Sequence, residues 1–301
     1  MKSNTYLPSV FCPSCGMQAK RFLVANDLNR KISTNQFQYY RCSSCLVITL
    51  NPIPIDLSSY YPPDYYHIPT SIDFLKATAP HEQYKLDLLK DFKSCGSLLE
   101  IGPSTGTFAW LAKNYGFEVQ AIEMNPECCY YLNNIAGINT VESSDIEMAL
   151  SRVPNFDVIV MWHVIEHLPD PFSNLNAISH KLNDGGVLVI AAPNPSALGF
   201  RILRKYWPHL DAPRHLHLIP PKIIVKQMLE LGFQKKLETT CDIGAKGWNH
   251  FGWEYFVKNF KLFSKLKSTT QSKLSNFLNK IFSPFEGMEG NGSAFTLIFK
   301  K

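Results

Sequence analysis

The chain has 301 residues, 45% of them apolar and 18% charged, a balance that fits a globular protein with a substantial core and excludes a disordered or fibrous one. Its net charge of +5 and pI near 8.7 are too mild to argue for nucleic acid by themselves. No apolar run approaches the roughly 18 residues that span a bilayer, the start lacks the apolar core of a signal peptide, and a cytoplasmic protein is expected.

Residues 1–50 are short alternating stretches, such as "FQYYRC" and "LVITL", around two cysteine pairs, Cys12 and Cys15, then Cys42 and Cys45. The other four of the eight cysteines show no regular spacing. Without an export signal, paired knuckles point to metal before disulfide. Four thiolates would close a tetrahedral Zn2+ site with no open position, so the ion is expected to be structural. The 26 residues between the pairs exceed the common spacing of about 15–20, which a longer hairpin between knuckles absorbs. A small β-rich zinc-ribbon-like module is expected here, and its size makes metal a large part of its folding energy.

Residues 51–80 hold six prolines and six aromatic or histidine side chains and read as an extended linker, with Tyr60, Tyr61, Tyr65 and Tyr66 packed between domains or lining a substrate site. From His81 to the end a single larger domain is expected. A helix runs to about Phe92. Apolar strands "SLLEI", "EVQAIE", "NTVES", "FDVIVMW" and "GVLVIAAP" then alternate with helices near 106–115, 125–136, 146–152 and 171–182. Fully apolar strands separated by helices imply a parallel sheet covered on both faces. A helix from Pro221 to Leu231, a strand "FQKKLETT", a helical insertion within 241–290 and a last strand "SAFTLIF" complete the pattern, the two strands forming an antiparallel edge.

The stretch "LLEIGPSTGTF" ends a buried strand at Ile101 and turns into a helix through Gly102 and Gly106, whose bare backbone lets a ligand approach closely. In an open parallel sheet this first strand-to-helix turn is where ligands bind. The third glycine of the dinucleotide fingerprint is missing, which counts against NAD and FAD. Glu123 ends the second strand, 21 residues after Gly102, where a carboxylate can accept hydrogen bonds from a ribose diol. Asp145 follows the third strand, near the expected adenine edge and equally suited to capping the next helix. The ligand so described is a nucleoside without a pyrophosphate.

These motifs, with "AIEMNP", "SSDIE", "FDVIVMWHVIEHLPDP" and "LNDGGVLVIAAPN", resemble the class I S-adenosylmethionine-dependent methyltransferases, of the ubiquinone O-methyltransferase-like, methyltransferase domain 23 type, from about Tyr84 to the C-terminus. The resemblance implies an α/β fold with a Rossmann-like seven-stranded class I methyltransferase sheet containing one antiparallel strand, and S-adenosylmethionine as cofactor. It implies a cofactor site of Glu100, Gly102, Pro103, Gly106, Phe108, Glu123, Met124, Asp145, Ile146 and His163. Pro103, Ser104 and Thr105 stand where that family more usually has a small, glycine-containing run, and a stiffer loop is expected.

Two histidine groups follow strands of this sheet: His163 and His167 with Glu166, and His215 and His217 with Arg214. Both are expected to face one cleft. His163 also suits a purely local role, bonding backbone and shaping the cofactor pocket, and Glu166 could pair with Arg214. Methyl transfer needs alignment, and a base where the acceptor loses a proton; imidazole serves near neutrality. "PRHLHLIPP" is similar to a histidine-bearing segment of sugar C-methyltransferases, which implies His217 as base with His215 and His167 as rivals. The expected acceptor is an oxygen or carbon of a small molecule, such as a sugar or nucleotide-sugar in glycan or secondary-metabolite assembly. Residues 1–50 carry six basic residues and one acidic, a net +5, which keeps an RNA acceptor as an alternative; a zinc-bearing binding protein that does not catalyse is another. Phe256, Phe260, Phe263 and Leu266 recur at helical spacing among lysines, a pattern for a cap over the cleft or for peripheral membrane contact through 256–280.

Overall fold

The computed structural model describes residues 9–62 and 65–301. The chain opens with four short strands, β1 (Val10–Phe11), β2 (Gln18–Asn26), β3 (Gln36–Cys42) and β4 (Ile48–Leu50), paired antiparallel in sequence. β3 reads "QFQYYRC" and buries Phe37, Tyr39 and Cys42, every second or third side chain, as a strand with one packed face does.

Next comes a helix, α1 (Asp73–Lys90). The sequence pattern predicts a helix from His81; the observed one begins inside the expected linker and carries Pro80 in its interior. Its buried residues Leu75, Ala79, Leu86 and Leu89 are four, seven and three residues apart, on one face of the helix, and burial of that stripe outweighs the one backbone hydrogen bond that proline forfeits.

Strands and helices then alternate: β5 (Ser97–Ile101), α2 (Thr107–Tyr115), β6 (Glu118–Glu123), α3 (Pro126–Tyr131), β7 (Asn139–Glu142), α4 (Ile146–Ser151), β8 (Phe156–Trp162), α5 (Pro171–Lys181) and β9 (Leu182–Pro193). The helix expected to run to residue 136 is α3 followed by a π-helical turn, Leu132–Ala136, closed by Gly137 at φ +65°. After α6 (Leu198–Leu203) the chain makes a two-residue strand, β10 (His217–Leu218), then α7 (Pro221–Glu230), β11 (Gln234–Thr239), α8 (Ile243–Asn259), α9 (Ser268–Glu286) and β12 (Ala294–Lys300).

The large sheet has the order β11-β12-β9-β8-β5-β6-β7, and only β12 runs against its neighbours. The seven strands, the single reversed strand and the antiparallel edge are the expected architecture. β8 and β9 are buried almost throughout, because helices cover both faces of the sheet and leave no room for polar alternation.

The small sheet has the order β1-β2-β3-β4-β10. Its fifth strand comes from the far side of the chain: His217 and Leu218 pair with Thr49 and Ile48. The cysteine module is therefore continuous with the larger domain. Cys12, Cys42, Cys45 and Val47 join one apolar cluster with Leu168, Ile219 and the strands of the large sheet. Phe37, Tyr39, Ile48 and Leu50 join another with Phe200, Trp207, Leu216 and Trp253.

An ion pair locks the junction. Arg214, fully buried, places Nη2 at 2.7 Å from Asp27 Oδ1 and 2.6 Å from Asp211 Oδ1, and its Nε donates to Asp211 Oδ2 at 3.0 Å. Asp27 comes from the end of β2 and also accepts the backbone N–H groups of Arg30 and Ile32. Burial alone would push the Asp211 carboxyl up, yet the hydrogen bonds and charge of Arg214 hold it below the ordinary carboxylate range. Arg214→Met removes the shared cation and leaves two buried carboxylates, which is expected to cost about 3–5 kcal/mol of stability, measured as a shift of the urea unfolding midpoint.

Candidate functional site

The turn after β5 is built by two left-handed glycines. Gly102 lies at φ +70° and Gly106, the N-cap of α2, at φ +77°. Both also need the absence of a side chain: a Cβ on Gly102 would sit 2.6 Å from Val164 Cγ2, and one on Gly106 would collide with Leu132. Pro103 closes the turn by accepting the Gly106 N–H at 2.8 Å. Val164 belongs to the loop after β8, so the glycine turn and the histidine loop are in contact.

Glu123, at the end of β6, clamps this turn. Its Oε2 accepts the Ser104 N–H at 2.9 Å, and its Oε1 accepts those of Met124 and Asn125 at 2.8 and 2.9 Å. Burial pushes the carboxyl up and the three backbone donors oppose it. A carboxylate offers about four lone-pair sites, so roughly one stays free beside the turn. Asp145 caps α4 by accepting the Met148 N–H at 2.9 Å, while Ile146 is buried beneath it. Met124 is exposed, and Phe108 packs into the core edge-on to Trp162 at 5.4 Å.

Glu100 is fully buried within β5, and its Oε2 has no hydrogen-bond partner. Burial raises its carboxyl to about 8 despite the nearby Lys85. A folded-state value above the ordinary one means that folding takes up a proton between about 4.5 and 8, so stability is full at the acid end and declines as pH rises through that window. Glu100→Gln is expected to flatten this decline, read as a melting temperature that falls less than the parent's between pH 5 and 8.

The loop after β8 brings the histidines together. His163 has φ +59°, donates its N–H to Ala191 O and stacks on Trp248 with ring centroids 3.9 Å apart. Its Nδ1 lies 3.7 Å from Glu166 Oε1. His215 Nε2 approaches the same oxygen at 3.9 Å, and the His167 and His215 rings meet edge-on at 4.6 Å. Burial alone would raise the Glu166 carboxyl, but the three imidazoles around it hold it low. Arg214 pairs with Asp27 and Asp211, which corrects the pairing with Glu166 considered from the sequence.

His217 lies apart from this group. On β10 it is buried, its Nε2 meets Pro169 O at 3.2 Å, and its Nδ1 is buried without a partner. Burial lowers its pKa to about 4, as it does for His167.

The linker tyrosines singled out in the sequence, with Trp248 and His209, which were not, complete the surroundings. Tyr61 O–H lies 3.1 Å from His167 Nδ1, and Tyr61, Tyr65 and Tyr66 follow one another with centroids 4.9 Å apart. Burial, with the charge of Glu123 adding to it, raises the Tyr66 phenol. His209 stacks on Trp248 as well, at 4.2 Å. Trp248 sits in α8, so the insertion lies against the histidine loop. Phe256 and Phe260, expected on the apolar face of that insertion, line a groove of about 660 Å3 with Phe22, Ile202 and Tyr206.

In the cysteine module the two knuckles fold alike. Cys12 N–H donates to Met17 O as Cys42 N–H donates to Val47 O, and the residues after each pair, Gly16 and Leu46, both have φ +68°. The four thiols converge, with Sγ–Sγ separations of 3.3, 3.5 and 3.7 Å. Four sulfurs about 2.3 Å from a common centre would stand roughly 3.8 Å apart, so the donor set and its spacing suit one tetrahedral ion.

A family model described as a methyltransferase domain matches residues 77–237, more than half of the chain. The chain belongs to the methyltransferase-domain family. Among curated proteins it is similar to ubiquinone biosynthesis O-methyltransferases of Xanthomonas campestris pv. campestris, 26% identical over 114 residues, 35% of this chain and 46% of that one. The Xylella fastidiosa protein of the same name is 29% identical over 114 residues, 35% of this chain and 45% of that one. The chain thus spans about half the length of the curated relatives it matches. A solved S-adenosylmethionine-dependent methyltransferase from Archaeoglobus fulgidus aligns with TM-score 0.51 and 22% identity over 75% of this chain and 94% of that one, a likeness of fold. Among the described residues no helix is long and apolar enough to cross a membrane.

Proposed function

We propose that this methyltransferase moves the methyl group of S-adenosylmethionine to an oxygen or carbon of a small acceptor held between the glycine turn and the histidine loop. One observation carries the reading: Val164 of the histidine loop packs on Gly102, so a nucleoside on the turn and an acceptor beside His163, Glu166 and His167 are neighbours. The cofactor supplies the activated methyl group on a sulfonium. The chain supplies alignment and a water-poor cleft, with α8 and Trp248 as its cover.

Glu123 receives the ribose in this reading. One hydroxyl can take its free lone-pair site; a grip on both requires the Ser104 N–H to yield its place on Oε2. Glu123→Gln is expected to weaken S-adenosylmethionine by about 1.5–3 kcal/mol, the worth of a hydrogen bond to a charged group. Titration calorimetry reads this directly, and an unchanged affinity would remove Glu123 from the site.

The tyrosine string from Tyr61 to Tyr66 offers faces on which a hydroxylated ring can rest, which supports a sugar or nucleotide-sugar as acceptor. Transfer of labelled methyl from S-adenosylmethionine, tested across sugar nucleotides and hydroxylated aromatics, decides the class; transfer to aromatics alone rejects the sugar. An RNA acceptor has less support, because Arg30 and Arg41 of the module lie over the Tyr65 and Phe22 rings, each 4.5 Å from the ring centroid. His215 and His167 are the proposed polar contacts to the acceptor, with His217 holding Pro169 and the loop.

We assign Zn2+ to Cys12, Cys15, Cys42 and Cys45 as a structural ion, and the use of these thiols for metal fits a cytoplasmic location. Cys42→Ser is expected to lose the zinc and lower the melting temperature of the whole chain in one transition, because the module shares its sheet with β10. Metal analysis beside a thermal scan checks both; a separate early transition would show the module folding alone.

A further inference from the structure

Glu166 is 1% exposed, and neither of its carboxylate oxygens has a hydrogen-bond partner. A buried carboxylate left so is costly, and Arg214, the cation the sequence offered it, is committed to Asp27 and Asp211. Around it, two imidazoles are fixed in the same way. His167 places Nδ1 at 3.0 Å from Arg214 O, and His215 places Nδ1 at 2.9 Å from His209 O. A ring nitrogen that faces a carbonyl carries the proton, so in both residues Nε2 is left with its lone pair free. This backbone-carbonyl contact behind the ring is how metal-binding histidines are held. One ligand atom from each of Glu166, His167 and His215 lies within 4.8 Å of the others.

We propose that Glu166, His167 and His215 form a divalent-cation site, separate from the four cysteines, with an open position for the acceptor's hydroxyl. Two imidazole nitrogens and one carboxylate suit Zn2+, Mn2+ or Fe2+, and three protein ligands leave room for a substrate oxygen. Glu166 and His215 are buried while His167 is partly exposed, so the open side faces the cleft. The site deepens the methyltransferase reading and rests on it for one consequence: the acceptor atom is oxygen. A hydroxyl bound to the cation gives up its proton more readily. The proton passes to water on the partly exposed side at His167. The oxygen then bonds to the methyl carbon as the carbon–sulfur bond breaks, and the electron pair stays on sulfur, leaving S-adenosylhomocysteine.

The test uses the full, zinc-loaded chain and Mn2+ as probe, since a thiolate site discriminates against this hard ion. Free Mn2+ is followed by its electron paramagnetic resonance signal, and S-adenosylmethionine binding by calorimetry on the same samples. The parent is expected to bind one Mn2+ per chain, and Glu166→Gln and His215→Asn each to weaken it by about tenfold or more. Far-ultraviolet circular dichroism selects the variants that fold, and His167→Asn is the third member should either collapse. A parent that takes up no Mn2+, or folded variants that bind it as the parent does, overturns the site and leaves Glu166 in a plain imidazole–carboxylate cluster. Mn2+ binding without any uptake of S-adenosylmethionine keeps the cation site and rejects the proposed methyl transfer instead.

Discussion

The buried guanidinium of Arg214 organises more of this molecule than any other single group. It joins Asp27, at the end of a strand in the cysteine module, to Asp211, in the segment that returns from the large sheet. The same short segment carries His215, whose carbonyl accepts the Tyr39 O–H at 2.8 Å. Leu216 N–H donates to Glu166 O, and Leu216 O accepts the Leu50 N–H, both at 2.8 Å. A chain of backbone bonds thus runs from the histidine loop through Leu216 into β4. Ion pairs of this kind stabilise little over a hydrophobic replacement, and their better-attested use is to fix one arrangement against others. Here the arrangement fixed is the position of His215 relative to Glu166, with the cysteine module as its anchor.

That dependence explains why a module with four convergent thiols sits on an enzyme fold at all. Closed on a metal, the four converging thiols would have no chemistry to offer the cleft, and what the module contributes is mechanical. By holding the two knuckles together it presents β4 as an edge for β10 to pair with. The strands on either side of that pairing then bury Phe37, Tyr39 and Leu50 against Trp207 and Leu216. Stiffness made in the module is delivered to the histidines a few residues away.

Much of this was legible in the sequence. Apolar runs of β8 and β9 announce a parallel sheet covered on both faces, and the spacing of Gly102, Gly106 and Glu123 announces a turn with a carboxylate beside it, because backbone conformation and burial constrain those residues locally. The cysteine knuckles are legible for the same reason. What stayed hidden depends on partners far apart in the chain. Nothing near Asp27 marks it as the partner of a residue 187 positions away. β10 is two residues long and exists only because β4 offers an edge. Trp248, in an insertion with the composition of a lysine-rich surface helix, gives no local sign that its ring stacks on both His163 and His209.

The ranking of the histidines shows the same limit. His215 and His217 are two residues apart, a spacing that would put both rings on one face of a regular strand. Sequence resemblance marks the segment without saying which side faces the cleft. The fold decides it: pairing with β4 turns His217 onto Pro169 and seals it under the module, and His215 is then turned toward Glu166. The strand begins only at His217, so His215 escapes that alternation, and its ring is set instead by the His209 carbonyl at 2.9 Å, which leaves the two imidazoles in different surroundings although the sequence spacing alone would place them together.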